Sequence, residues 1–236
     1  GRLWNNDITG NVTVADDISY GGGYNTTVRN NVITGNSSFS NNGLNILYDA
    51  NIAASGNVYN GNVTFNAAGG PVYISHLAPL QCSGSITINR TVAGHTQAFN
   101  AGAVITGNFS YTNNTAGNTF FGNINNKTAI GGTVNILANY TAPNVFEMHL
   151  LVNQTTGGVI DVQNSMGFNL QKDTLKVSSL SITGYRTGEY GRLWNNDITG
   201  NVTIADHVSY AGAFNTAIRN NIITGNSTFS NNGSNN

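Results

Sequence analysis

A small turn followed by strictly alternating apolar and polar residues recurs along this chain. It reads TGNVTV at Thr9, TGNSSF at Thr34, NGNVTF at Asn60, SGSITI at Ser83, TGNFSY at Thr106, GGTVNI at Gly131 and GGVIDV at Gly157. A degenerate SSLSI follows near Ser178, then TGNVTI at Thr199. A Gly or Asn-Gly signal before a period-two run predicts a turn entering a strand with one buried face. The marker glycines Gly10, Gly35, Gly61, Gly84, Gly107, Gly132, Gly158 and Gly200 are mostly 23 to 26 residues apart, which defines a coil. Between markers lie further β-like stretches, NILYDANI, PVYISHL, TQAFNAGAV and NTFFGNI, separated by Asn-, Gly- and Ala-rich corners. Two or three strands per coil are expected. Gly and Asn interrupt nearly every window long enough for a helix. APNVFEMHLLVNQ is read as strand because its apolar residues run on into VIDV.

A longer period contains the short one. Residues 1–43 return as residues 191–233, so Gly1 corresponds to Gly191 at a constant offset. We read residues 1–190 as one complete unit of about eight coils and residues 191–236 as the start of the next. The start at Gly1, with neither an initiating Met nor a signal peptide, suits a window cut from a tandem array. Val14, Val28 and Val32 become Ile204, Ile218 and Ile222, Tyr24 becomes Phe214, and Gly21 and Gly23 become Ala211 and Ala213. Exchanges that keep shape and apolarity are those tolerated in packed positions, so these side chains are expected to point inward. Asp17 becoming His207 changes chemistry, whereas Arg2, Trp4, Asn5, Asn6, Arg29, Asn30 and Asn31 recur unchanged.

Composition narrows the function classes. Charged residues make up 8% of the chain, against roughly 25% in an average domain, and polarity is carried by amides and hydroxyls. Regular Val, Ile, Phe and Tyr argue against disorder. A formal net charge of −1, without a local Lys or Arg cluster, excludes electrostatic binding to nucleic acid or to an anionic membrane. No apolar run approaches the roughly 20 residues of a membrane helix. Cys82 is the single cysteine, which excludes an internal disulfide and suits a buried apolar thiol.

The short period therefore predicts an all-β chain, a parallel β-helix or β-solenoid with coils of about 24 residues, grouped in tandem 190-residue units. Stacked at the inter-strand spacing, eight coils would rise roughly 38 Å. Each coil buries its inward residues against the next, so such a rod grows without a larger core. Asn at equivalent corners can pair amides up the axis and tolerates the left-handed conformation. The alternative, a string of β-sandwich domains, would show irregular strand spacing rather than a coil period held across the unit.

Candidate chemistry is sparse. His76, His95, His149 and His207 fall in different coils at no metal-ligand spacing, so no metal and no cofactor are expected. Asp16 and Asp17 pair as candidate calcium ligands or an acid pair, but the second copy offers Asp206 and His207. Asp161, Asp173, Lys172, Lys176 and Arg186 are the nearest thing to a charged cluster, read as surface ions or subunit contacts rather than catalytic groups. GGGYN at Gly21 becomes AGAFN and reads as a corner rather than a phosphate loop. The abundant Asn-x-Ser/Thr sequons, Asn113 and Asn153 among them, follow largely from composition. The recurring RLWNND string sets Arg2 beside Trp4, and Arg192 beside Trp194. That mix suits a packed corner anchor, or an inter-chain or sugar contact repeated along a fibre.

YNGNVTFNAAGGPVYIS from Tyr59, VITGNFSYTNNTAGNTFFGNI from Val104 and GGTVNI from Gly131 resemble the giant secreted repeat proteins of Bacteroidota, usually exported by the type IX system. That resemblance implies a mechanical, adhesive role of the kind served by surface adhesins and grappling-hook fibres. The expected function is non-catalytic: the shaft of an extracellular filament or long cell-surface adhesin, with other copies of itself as partners and cell-surface glycans as a second partner class. The competing class is a carbohydrate-binding adhesin or β-helix polysaccharide-active enzyme acting singly.

Overall fold

The computed structural model describes residues 1–15, 25–142, 144–186, 191–208 and 216–230. Every strand pair in this β-solenoid is parallel, as closed coils of one hand require, and no helix occurs among the described residues. One strand per coil builds the first face, through Arg2–Trp4, Asn25–Arg29, Ile46–Asp49, Val72–Ile74, Thr96–Ala98, Thr119–Phe121, Val145–His149, Gly167–Gln171, Gly191–Trp194 and Thr216–Arg219. We number coils 1 to 10 by these strands. Two further strands per coil, such as Leu80–Cys82 and Ile86–Arg90 in coil 4, build the other faces and belong to a second sheet; in coils 8 and 9 one long strand, Thr174–Arg186 or Asp197–Val208, takes their place.

The long period is a structural period. The first-face register carries Arg2 onto Thr27, Tyr48, Tyr73, Gln97, Phe120, Glu147, Asn169 and then Arg192. Eight steps thus separate a residue from its copy, and coil 9 continues the stack on coil 8 in register.

The corner leaving the first face is built the same way in every coil. The residue directly after each first-face strand has positive φ: Asn5, Asn30, Ala50, Ser75, Phe99, Gly122, Leu150, Lys172, Asn195 and Asn220. Asn accepts this conformation readily. Phe99 and Leu150 do not, and tertiary packing holds them there; Phe99 is fully buried with its ring 5.0 Å from Phe109.

Immediately beyond this corner runs an inward amide ladder. Asn31 Oδ1 accepts from both the backbone N–H and the side-chain amide of Asn6, at 3.0 Å each. Asn31 donates in turn to Asn57 Oδ1 and to the Leu3 carbonyl. Asn196 and Asn221 repeat the geometry across coils 9 and 10, and Asp173 N–H donates to Asn196 Oδ1 below them. A second ladder of opposite polarity lies outside, at the turn-marker corner. There the backbone N–H of Asn36, Asn62 and Ser85 each donates to the side chain one coil earlier, at Asn11, Asn36 and Asn62.

The marker glycines are required by stacking more than by turning. A Cβ on Gly35, Gly61, Gly84 or Gly107 would strike the backbone of the marker glycine one coil earlier. In coil 9 the chain does not turn at this point: one strand, Asp197–Val208, runs through Gly200.

A single hydrophobic cluster fills the interior, with rings of Phe39, Phe65, Phe109, Tyr111, Phe121 and Phe146 meeting along the axis. Val28 is fully buried as expected, but Val32 is 40% exposed between two stacked neighbours. Alternation explains the correction: Asn31 and Ile33 occupy the inward positions, so Val32 must face out. Its counterpart Ile222 is also exposed. Tyr24, Gly21, Gly23 and their copies lie outside the described residues.

Candidate functional site

Only side chains on outward positions can meet a partner, and the first face carries the most distinctive set. It begins with a cation–aromatic clamp. The Arg2 guanidinium carbon lies 4.6 Å from the Trp4 ring centroid and that of Arg29 lies 3.7 Å away. The indole N–H donates to Thr27 Oγ1 at 2.8 Å. Arg192, Trp194 and Arg219 rebuild the clamp with the same two distances. Arg2 and Trp4 are thus in contact, as are Arg192 and Trp194. Arg29 and Arg219, which the sequence reading left out, stack closest because register places them one coil above the indole. Stacked guanidinium groups contribute about 0.5–1 kcal/mol each at exposed sites.

The two clamps differ in one hydrogen bond. Thr27 corresponds to Ala217, and Trp194 Nε1 is buried without a hydrogen-bond partner.

Above the first clamp the outward positions become an aromatic stripe. Tyr48 and Tyr73 stack at 4.9 Å with ring planes 12° apart. His76 packs 4.9 Å from Tyr73, and His95 bridges Tyr73 and Phe120 at 5.6 and 5.1 Å. Burial lowers the pKa of both imidazoles, and the positive Arg90 adds to this at His95, so the stripe is uncharged near neutral pH. The signal for the stripe was present in NTFFGNI. Two adjacent phenylalanines on one strand cannot both face the core, and Phe121 is inside while Phe120 is outside.

The stripe ends in an open groove of about 290 Å³, lined among others by Gln97, Phe120, Glu147, His149, Asn169 and Gln171. Gly122 lies at the buried corner after Phe121, where a Cβ would strike the His149 carbonyl of the next coil. His149 Nε2 lies 3.3 Å from Glu147 Oε2, and Gln171 Nε2 donates to Asn169 Oδ1 at 2.6 Å. On the next rung the groove meets the Arg192–Trp194 clamp.

Among the described residues the remaining charges do not assemble. Asp161 faces outward and accepts from Gln163 Nε2 at 2.7 Å. Asp173 is buried in the inner amide ladder, where its Oδ1 accepts from Leu151 N–H and its Oδ2 has no partner. Expected as a surface ion, it instead takes the place of a ladder asparagine. Burial raises its pKa well above the usual carboxylate range. Asp49 is also buried, and its carboxylate accepts from Tyr59, Asn57 and Ser75. Arg90 is buried with only neutral oxygens around it: Thr96 Oγ1 and the carbonyls of Gly69, Gly70, Val92 and His95. These groups hold coils together.

Asp16 and Asp17 and the side chains of Asp206, His207 and Arg186 lie outside the described residues. Among the described residues no three His, Cys, Asp or Glu side chains converge to hold a metal. Of the sequons, Asn113 and Asn153 are buried, and Asn153 is bonded to the carbonyls of Thr155 and Lys176. Comparison of the chain with known protein families, with curated proteins and with solved structures found no match in any of the three.

Proposed function

We propose that this chain is a stretch of the shaft of an extracellular filament or long cell-surface adhesin, built to extend and to hold rather than to catalyse. The observation that carries this reading is the register at the unit boundary. Coil 9 stacks on coil 8 through both sheets and through the inner ladder from Asp173 to Asn196 and Asn221. A second unit therefore begins with no break in pairing. A rod of this kind gains stability from each nearest-neighbour interface and can lengthen indefinitely. The paucity of charge and the amide ladders fit an extended object held by hydrogen bonds along its axis.

The resemblance to giant type IX-secreted repeat proteins of Bacteroidota agrees with this reading and supplies the cell-surface setting. Copies of the same rod are its natural lateral partners, because an Arg–Trp–Arg clamp of the same stacking geometry returns after eight coils. Cryo-electron microscopy of native material tests the proposal. Multi-chain filaments with reflections near one coil rise, about 4.8 Å, and near eight coils, roughly 38 Å, are the expected result. Isolated particles with neither reflection would overturn it.

A further inference from the structure

We infer that the groove over coils 5 to 8 of the first face is a binding site for a linear, uncharged polysaccharide lying along the rod axis. The inference stands apart from the filament reading, since it concerns one chain and one face.

The shape selects a thin occupant. An open groove of about 290 Å³ between Phe120 and the rung of Asn169 and Gln171 is a concave surface of the size of a few sugar units, which the flat face of another solenoid would not fill. It also lies on a sheet face, where the backbone N–H and C=O groups are already paired within the ladder, so it cannot capture a peptide by adding a strand.

The chemistry selects hydroxyls. Phe120 offers an aromatic surface at the end of the stripe, suited to the apolar C–H face of a sugar ring. Gln97, Asn169 and Gln171 offer amides, each able to donate and accept. The bond from Gln171 to Asn169 leaves the Asn169 amide N–H groups as donors and the Gln171 carbonyl as an acceptor. Neighbouring hydroxyls of a sugar present that alternation of donor and acceptor. Glu147 and His149 are the only ionisable side chains lining the groove, and they face one another. A polyanion would meet no uncompensated cation there. Rungs recur at about 4.8 Å along the axis, so a chain of sugar units parallel to the rod meets a new outward pair at each step. Tyr73 and His95 lead into the groove at one end and the Arg192–Trp194 clamp follows at the other.

The test is affinity electrophoresis of the 236-residue chain in gels containing xylan, mixed-linkage β-glucan or mannan, with polygalacturonate as the acidic comparison, followed by calorimetry with the matching hexasaccharide. Retardation by at least one neutral polysaccharide is expected. Phe120→Ala should weaken binding about tenfold or more, as loss of a central aromatic anchor does, and Phe120→Tyr should retain it. Gln171→Ala, a second outward substitution, should also weaken binding, while Val104→Ala, at an exposed position on the second sheet and outside the groove, should leave it unchanged. Far-UV circular dichroism and the denaturation midpoint check that each variant is folded. No retardation by any neutral polymer, retardation by polygalacturonate alone, or binding indifferent to both Phe120→Ala and Gln171→Ala would overturn the inference.

Discussion

The indole N–H of Trp4 donates to Thr27 Oγ1 at 2.8 Å, a bond that its copy Trp194 lacks because Ala217 occupies the equivalent place. Two otherwise matching clamps thus differ by one hydrogen bond. Thr27→Ala should cost about 0.5–1.5 kcal/mol, and Ala217→Thr should recover a similar amount where the donor is now buried and unpaired. Urea denaturation of both single variants, followed by the fluorescence of each tryptophan with the other replaced by Phe, measures the pair.

The inner and outer ladders should respond differently to truncation. Asn31→Ala removes an acceptor from Asn6 and two donors from a buried corner, and each orphaned buried group costs about 1–3 kcal/mol. Asn36→Ala removes one bond at an exposed corner, where water replaces it, and should cost under about 1 kcal/mol. Denaturant midpoints of the two variants should separate clearly, and equal shifts would show that burial does not set the value of the ladder.

Asp173 gives the pH dependence an unusual sign. Burial raises its folded-state pKa above the unfolded value of about 3.9. Above the unfolded pKa the native state therefore binds more protons than the unfolded chain at this site, and its contribution to stability falls as pH rises towards the folded pKa. Acidification through that window should strengthen the corner. Asp173→Asn should abolish this term and raise stability at neutral pH, because the amide suits the ladder position that Asn196 fills one coil later. Melting curves across the acid range for both proteins provide the check.

Much of the fold was legible in the sequence because stacked backbones repeat their demands. A glycine at Gly84 or Gly107 is forced by the coil below, so the period survives even where side chains drift. The corner asparagines announced ladders for a similar reason. The direction of single side chains was less legible: Val32 is apolar yet faces water, and Asp173 and Arg90 are charged yet buried. Whether a position faces in or out depends on where each strand begins relative to its corner, and one polar residue drawn inward for the ladder shifts the apparent pattern. The groove was hidden more deeply, since Gln97, Phe120, Glu147 and Gln171 become neighbours only once successive coils are superimposed.

Gly107→Ala tests the stacking argument directly. The added Cβ would meet the Gly84 backbone and Ser85 Oγ, so coils 4 and 5 must separate locally. A loss of about 1–3 kcal/mol is expected for such overpacking, with faster amide exchange at Gly107 and Gly132, whose N–H groups donate to the glycine carbonyls beneath them.

Cys82 supplies an internal reporter. Its thiol is 2% exposed, and burial pushes its pKa up to about 11. The native chain should resist maleimide at neutral pH for as long as coils 3 to 5 stay stacked, and label readily in denaturant. Rapid labelling of the native chain would show that this part of the solenoid opens on its own.

The register carried from coil 8 into coil 9 also bears on how such a protein changes over generations. Insertion or deletion of one whole 190-residue unit would leave the stacking register at each junction as it was. The length of the rod would then vary in steps of roughly 38 Å, with the first-face register kept across each boundary. An exchange that kept only part of a coil would set Gly against side chain and amide against methyl at the seam, so selection on folding alone would keep the length quantised.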